Sequence, residues 1–275
     1  GGNTTCLEIR TESGDLIIID GGTGIRPLGL TLLGALPIDA DIFITHTHWD
    51  HIQGLPFFIP LFIPGNKIRF HGAFDPVYKK EIQSILSQQM EYCYFPVREM
   101  ELKSQVSYNT LREQETIELS DAVVSCVVMN HPVLCYGYRI ESGGKSVFFT
   151  GDHEPLHNIY DENEVGHEEY QELIEQKEQQ LFDFIGPVDL IVADSMYLDT
   201  EMDGRRGWGH GTFRSTLRMA KECGAKRIAF THHDPIRSDD QLDTIMEELR
   251  AEIDVEKWGE CPEIQLAKEG LTVEL

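Results

Sequence analysis

The strongest constraint on the fold and chemistry of this chain is a short run of histidines after an apolar segment. Residues 42–44 read Ile-Phe-Ile, and His46, His48, Asp50 and His51 follow closely. In an extended chain alternate side chains share a face, so His46 and His48 can bind one cation together. Asp50 continues that series, whereas His51 comes after the chain turns and can approach a neighbouring cation from another side. The spacing predicts two metal ions; a polar loop whose histidines cap a helix or contact water is the alternative.

The pattern His-x-His-x-Asp-His after a hydrophobic strand resembles the metallo-β-lactamase fold superfamily of metal-dependent hydrolases. The resemblance implies three further ligands, and His131, Asp152 and His232 each follow an apolar, β-rich run, where loops can gather them at one edge of a sheet. It assigns the first metal to His46, His48 and His131, the second metal to Asp50, His51 and His232, and the bridge to Asp152.

Each downstream ligand also has an ordinary structural interpretation. His131 can be a histidine that ends a strand before a proline, and Asp152 can be a turn aspartate that bonds its own backbone. His233 competes with His232 for the last position. His232 is preferred because it matches the Thr-His pair of the RNA-processing and phosphodiesterase members, which leaves His233 to contact the substrate or to support a ligand.

The type of bridging ligand narrows the expected chemistry. True metallo-β-lactamases have a cysteine at the position of Asp152, and flavodiiron relatives have a glutamate at that of His48; this chain has neither. Oxygen and nitrogen donors suit Zn²⁺, Mn²⁺ or Fe²⁺, with zinc as the expected ion. In such a site, metals about 3.5–4 Å apart hold a bridging hydroxide and lower the pKa of that water from about 15.7 toward about 7. The protein then needs only to stabilise the oxyanion and protonate the leaving oxygen.

A glycine-rich segment, residues 205–212, precedes a predicted helix over 213–221. Its glycines let the backbone approach a ligand closely, and His210 would lie near the helix N-terminus. The phosphodiesterase and tRNA-maturase branches of the superfamily use a histidine here to assist the leaving group, so the resemblance implies that His210 is the general acid or oxyanion partner. His210 and Asp50 are the predicted catalytic residues. A tight loop before the helix with a packing Trp208 is the alternative.

Landmarks across nearly the whole chain resemble the cyclic-nucleotide phosphodiesterase-like, RNase Z-like branch of the superfamily. They are residues 1–6, 20–26, 94–97, 194–197, 207–210 and 232–235. In that family a short strand with an Arg-Gly-Ser type motif usually precedes Gly1, so earlier residues are expected. Gly211 stands where relatives commonly carry serine, which removes a hydroxyl contact. The family also implies that Asp20 orients the histidine ligands, although a turn residue would look the same.

Charge bears on the substrate. The chain has 47 acidic and 23 basic residues and a formal net charge of −24. Such a charge repels long polyanions, and no cluster of lysine or arginine stands out to compensate. Long nucleic acid is therefore predicted to be an unlikely partner, whereas a small anionic substrate fits because two dications dominate the field in the pocket. A salt-adapted surface explains the acidic excess equally well.

The α/β (α+β) class and a single domain over 1–275 are expected, since αββα metallo-hydrolases reach this length as one unit. The resemblance implies a four-layer sandwich of two mixed β-sheets flanked by helices. Strands are predicted near 5–10, 16–20, 41–45, 68–71, 122–129, 136–140, 146–150, 189–193 and 227–231. Helices are predicted near 76–90, 168–184, 212–223 and 239–252.

Two helical insertions are expected, near 75–103 and 153–184. The first could form a lid beside the metals or pad the sandwich, and the second could pair subunits as a homodimer. No apolar run approaches about 18 residues and no signal-peptide pattern is present, so no membrane contact is predicted. The six cysteines lack close spacing, which predicts free thiols and a cytoplasmic location.

The leading hypothesis is a dinuclear metal-dependent hydrolase, a phosphodiesterase that acts on a small diester such as a cyclic nucleotide. A thioester or lactone hydrolase would use the same site. A hypothesis of another class is a metal-binding sensor or regulatory module whose acidic helix binds a protein. Fold and ligands are shared by all of these functions, so they do not separate them.

Overall fold

The computed structural model describes residues 2–256 and 261–275. Gly1, the first residue of the N-terminal landmark, lies outside the described residues. The described helices are α1 (Ile25–Thr31), α2 (Trp49–Ile52), α3 (Ile82–Gln89), α4 (His167–Ile185), α5 (Phe213–Glu222) and α6 (Asp239–Glu256). The strands are β1 (Leu7–Arg10), β2 (Leu16–Ile19), β3 (Asp39–Ile44), β4 (Lys67–Ala73), β5 (Gln105–Leu111), β6 (Thr116–Glu118), β7 (Ala122–Met129), β8 (Cys135–Ser142), β9 (Lys145–Phe149), β10 (Leu190–Asp194), β11 (Arg227–Thr231) and β12 (Glu263–Leu266).

These elements form two mixed sheets accompanied by helices, which confirms the predicted α+β class. The first sheet has five strands in the order β1-β2-β3-β4-β5, and β6–β12 belong to the second. The chain divides into two compact units. Unit 1 comprises Gly1–Val128 and Val133–Gly144, and unit 2 comprises Met129–Pro132 and Lys145–Leu275. The expectation of a single domain stays a prediction.

In unit 1 the buried centre of the first sheet explains its continuous apolar sequence. β1 is antiparallel to β2, whereas β2, β3, β4 and β5 run parallel. Every residue of β2 is buried, as is every residue of β3 after Asp39, and strands covered on both faces have no reason to alternate polar and apolar residues. Ile19 lies opposite Phe43, so both strands end at one edge. Residues just beyond that edge, including Asp20 and His46, are therefore neighbours.

β8 packs against the same edge within unit 1. The Tyr138 hydroxyl donates to the backbone oxygen of Ile44 at 2.7 Å, and its ring meets Phe43 edge-on with ring centroids 5.3 Å apart. Burial raises the pKa of Tyr138, so the hydroxyl stays a donor. This contact holds the end of β3 directly before the histidine run.

Close backbone contacts link three glycines of unit 1, Gly21, Gly22 and Gly54. The Gly21 N–H donates to the His51 carbonyl at 2.7 Å, and the Gly54 N–H donates to the Gly21 carbonyl at 2.9 Å. A Cβ on Gly54 would lie 2.0 Å from the Gly22 carbonyl oxygen. Only glycine allows this approach, which fixes the helix carrying His51 against the turn after β2.

In unit 2, strands β9 to β12 form a parallel block in the order β12-β11-β10-β9. Val192 lies opposite Phe149 on one side and Ala229 on the other. The carboxyl ends of these strands therefore share an edge, where open α/β sheets gather functional side chains. Asp152 and His232 lie just beyond it.

The predicted elements are present, but several others were missed. β5 reads Gln-Val-Ser-Tyr-Asn-Thr-Leu, too polar to stand out, and α1 contains Pro27 and Gly29, which are poor helix formers. The helix predicted over 76–90 begins only at Ile82, because the Asp75 carboxylate accepts hydrogen bonds from two following backbone N–H groups and makes a turn. Ile82 and Leu86 pack into the unit 1 core, so α3 pads this unit.

His71 is a buried histidine outside the predicted ligand set. Its side chain is stacked on Phe43 with ring centroids 4.4 Å apart and bonded to Asp41 at 2.8 Å. The Arg69 guanidinium also donates two hydrogen bonds to the Asp41 carboxylate, at 2.6 and 2.8 Å. Burial opposes ionisation of Asp41, but these hydrogen bonds and charges outweigh it and lower its pKa.

None of the described helices combines the length and hydrophobicity needed to cross a membrane. All six cysteines are free thiols, as predicted. The homodimer and the cytoplasmic location stay predictions.

Candidate metal centre

Unit 1 brings its four predicted ligands together. His46 and His51 are buried. His46 Nε2 and His48 Nδ1 face each other at 3.1 Å, and His51 Nε2 lies 3.4 Å from Asp50 Oδ2. The turn into α2 follows His48, and the ring centroids of His46 and His51 lie 4.2 Å apart across it. The four side chains therefore form one cluster, and the assignment of each to a first or second metal stays a prediction.

Asp20 bonds His51 on the ring nitrogen opposite the one that faces Asp50. The residue adopts a left-handed backbone conformation, with φ of 64°, and its carboxylate accepts the Thr45 N–H at 2.8 Å and the Thr45 hydroxyl at 2.9 Å. His51 Nδ1 lies 2.7 Å from Asp20 Oδ2. An ionised carboxylate only accepts, so Nδ1 carries the ring proton and Nε2 presents its lone pair. Burial raises the pKa of Asp20, and the hydrogen bonds and charge of His51 oppose that rise.

Replacing Asp20 with Asn is expected to weaken metal binding by about 10- to 100-fold. The amide would place a donor against His51 Nδ1–H or Thr45, which favours the wrong imidazole tautomer. The measurement is competition for Zn²⁺ with a chromophoric chelator. Asp41→Asn is the matched control, because it removes another buried, histidine-bonded carboxylate of unit 1 that touches no predicted ligand. Equal metal affinities of the two variants would refute this role for Asp20.

Unit 2 places three imidazoles around one carboxylate. Asp152 is buried and follows β9 through Gly151, whose φ is 60°. His232 Nε2 lies 3.3 Å from Asp152 Oδ1, and His131 Nε2 and His210 Nδ1 lie 3.9 and 3.7 Å from Oδ2. The donors are oxygen and nitrogen only, which is the set that hard and borderline divalent cations accept.

The backbone fixes the tautomer of His131. His131 Nδ1 lies 2.9 Å from the Gly209 carbonyl oxygen. Because a carbonyl only accepts, Nδ1 carries the proton and Nε2 turns its lone pair toward Asp152. A Cβ on Gly209, whose φ is 89°, would lie 2.1 Å from His131 Nδ1. The glycine therefore lets the main chain reach the ring.

The structure separates His232 from His233. His232 adopts a left-handed conformation, with φ of 57°, and lies at Asp152. His233 instead lies 3.4 Å from the Ala267 carbonyl through Nε2 and stacks on Phe213. Burial lowers the pKa of His233, which favours the neutral ring. Of the two residues, His232 is the one beside Asp152, and its role as a ligand stays a prediction.

His210 has a partner that sequence reasoning missed. Its Nδ1 lies 2.9 Å from Asp194 Oδ2, so Nδ1 carries a proton and Nε2 is left for chemistry. Its ring stacks on His232 with centroids 5.0 Å apart. Asp194 ends the apolar strand β10 as Asp20 follows β2, and that repeated strand-end aspartate was the available signal. Trp208 is 57% exposed, so it does not pack as the alternative required.

Arg237 has a structural role in unit 2. It donates to Glu201 at 2.7 Å and to the Met196 carbonyl at 3.3 Å. The neighbour of Asp152, His153, accepts the Asn130 N–H through Nδ1 at 3.2 Å, and burial lowers its pKa to about 4. Neither side chain has the position of a predicted ligand.

Comparison with known proteins identifies the family. The family model described as "Beta-lactamase superfamily domain" matches residues 16–233. Ribonuclease Z of Exiguobacterium sibiricum is 26% identical over 225 residues, which cover 70% of each chain. Among solved structures, the metallo-β-lactamase fold protein YhfI from Bacillus subtilis has a TM-score of 0.65 at 18% identity, covering 98% of this chain and 92% of that one. A diphosphatase of the PhnP family has a TM-score of 0.63 at 19% identity, covering 99% and 84%. The structural likenesses confirm the predicted fold, and the chain belongs to the β-lactamase superfamily domain family.

Proposed function

We propose that this protein is a dinuclear metal-dependent phosphodiesterase that hydrolyses a small phosphodiester such as a cyclic nucleotide. The observation that carries the proposal is the buried Asp152 with three imidazoles around it, one of them, His210, backed by the Asp194 carboxylate. The fold family implies divalent metal ions. Relatives named as a ribonuclease and a diphosphatase support a phosphorus ester as the substrate.

The proposed ligands are those of the sequence analysis. The donor chemistry of both units fits two divalent ions, with zinc expected and manganese or iron as alternatives. His46, His48 and His131 would hold the first ion, Asp50, His51 and His232 the second, and Asp152 would bridge them.

The residues of the chain have three tasks in the proposed reaction. When bound, the ions would supply Lewis-acid activation of water and of the phosphoryl oxygen. Asp20 and the Gly209 carbonyl keep the Nδ1 atoms of His51 and His131 protonated, so both Nε2 atoms are available as ligands. His210, in its doubly protonated form, carries its second proton at Nε2 and gives it to the leaving oxygen. Asp194 stabilises that imidazolium and orients its ring.

The choice of a small phosphodiester as the proposed substrate rests on the net charge of the chain. The expectation that long nucleic acid is an unlikely partner finds no support in the relatives, since several of them are ribonucleases by name. We keep the small diester because the net charge of −24 opposes binding of a polyanion. RNA is therefore included among the substrates tested below.

The test combines metal analysis of the purified chain with a substrate panel. The panel contains bis(p-nitrophenyl) phosphate, 2′,3′- and 3′,5′-cyclic nucleotides, p-nitrophenyl phosphate, an RNA oligonucleotide, a thioester and a lactone. We expect about two ions per chain, as a two-metal site requires, and turnover of small diesters. Turnover of RNA alone would overturn the substrate argument. Turnover of the thioester or lactone alone would move the function to that class, and no turnover together with capture of a protein partner would favour the sensor hypothesis.

A further inference from the structure

We infer that Glu154 is a positioning residue that holds the first-metal ligand His131 and the proton donor His210 in place together. The inference rests on the proposed function and deepens it. Glu154 lies two residues after Asp152, is buried, and contacts neither Asp152 nor a ring nitrogen of the proposed ligands through any hydrogen bond described.

The side chain of Glu154 holds the glycine-rich segment before α5. Its carboxylate accepts the Gly207 N–H at 2.9 Å on each oxygen and the Gly209 N–H at 2.8 Å on Oε2. Both glycines have positive φ, 84° and 89°, so their N–H groups can turn toward one carboxylate. Such charge-assisted bonds are about twice as strong as neutral ones. The backbone on both sides of Trp208 is thereby fixed.

The main chain of Glu154 holds the other side of the same site. Its N–H donates to the Asn130 carbonyl at 2.9 Å, and the Asn130 side-chain amide donates to the Glu154 carbonyl at 2.8 Å. Asn130 directly precedes His131. The backbone of Glu154 thus holds Asn130, the residue before His131. Its side chain holds Gly209, whose carbonyl bonds His131.

The consequence for chemistry follows from Gly209. Its carbonyl sets the tautomer of His131, and the next residue is His210. A shift of the Gly209 peptide would release the His131 ring and change the distance from His210 Nδ1 to Asp194 at once. Loss of the Glu154 carboxylate should therefore lower metal affinity and turnover together.

The experiment compares wild type, Glu154→Ala, Glu154→Gln and Asp189→Asn in the full chain. The readouts are Zn²⁺ affinity by competition with a chromophoric chelator, kcat and KM for bis(p-nitrophenyl) phosphate, and Tm. Asp189 is the matched control, a buried carboxylate of unit 2 that accepts the Ser146 N–H at 2.9 Å and the Lys226 ammonium at 2.7 Å, away from the glycine-rich segment.

Glu154→Ala is expected to weaken Zn²⁺ binding and to lower kcat by about 10-fold or more each, with KM nearly unchanged. Glu154→Gln should have a Zn²⁺ affinity and a kcat between those of Glu154→Ala and wild type. Its one side-chain oxygen can still accept the Gly209 N–H, whereas its amide group places a donor against the Gly207 N–H. If Glu154→Ala does not fold, Glu154→Gln alone serves as the test. Asp189→Asn should lower only Tm. Glu154 variants that match Asp189→Asn in Zn²⁺ affinity and kcat would overturn the inference. If wild type hydrolyses no diester but Zn²⁺ affinity still falls in the Glu154 variants, the proposed function fails and the positioning role stands.

Discussion

Replacing Asp152 with Ala is expected to lower phosphodiester turnover on the order of 10³-fold or more. The proposed bridge lies within 4 Å of ring nitrogens of His131, His210 and His232. If Asp152 is the bridge, its loss would remove the anionic ligand shared by the two proposed dications and part of the negative charge that balances them. Lewis-acid stabilisation is worth several kcal/mol in the transition state, and each 1.36 kcal/mol is a factor of about ten in rate.

The measurement is kcat with bis(p-nitrophenyl) phosphate beside the metal content of the same preparation. Asp152→Asn is the graded variant, because it keeps the size and one oxygen ligand but lacks the charge. Asp189→Asn controls for the loss of a buried carboxylate in the same unit. Full turnover of Asp152→Ala with both ions retained would exclude Asp152 as the bridge.

The second large effect is expected at His210, and it should depend on the leaving group. His210→Ala removes the imidazole whose Nδ1 is held by Asp194 and whose Nε2 carries the transferable proton. General acid catalysis contributes about 10²- to 10⁴-fold. A cyclic nucleotide expels a strongly basic alkoxide and should show that loss, whereas p-nitrophenolate leaves without a proton and should show much less.

Metal content separates this role from ligation. Donor atoms of His210, Asp194 and His232 lie within 4.8 Å of one another, so this trio is itself a candidate cation site. The acid role predicts that His210→Ala keeps the metal content of wild type. His210→Gln is the matched variant, which can donate a hydrogen bond but cannot transfer a proton. Loss of an ion, or an equal loss with both leaving groups, would contradict the role as general acid.

The local part of the site was predictable because it depends on short stretches of chain. The i, i+2 spacing of His46 and His48 and the turn before His51 determine which donors can face one cation. His131, Asp152 and His232 each follow an apolar strand, and the parallel strands β9 and β11 bring Asp152 and His232 to a common edge. The superfamily resemblance supplied their order and roles. Spacing alone did not choose between His232 and His233.

The periodicity of a sequence indicates which residues are buried. It does not indicate which distant residue a polar side chain will contact. His210 and Asp194 are 16 residues apart, Glu154 and Gly207 are 53 apart, and His131 and Gly209 are 78 apart. No regular pattern links such pairs, and a carboxylate at a turn looks the same whether it caps its own backbone or fixes an imidazole.

The amino-acid sequence by itself therefore determined the fold class, the strand-end positions of the proposed donors and the lack of a thiolate among them. The tertiary structure decided which ring nitrogens are protonated, through Asp20, Asp194 and the Gly209 carbonyl. It also decided that His71 is buried and that Glu154 joins two distant segments. The physical reason is that the local spacing of residues determines which side chains can be ligands. Which ring nitrogen of a histidine carries the proton depends instead on hydrogen-bond partners that meet only when the chain folds.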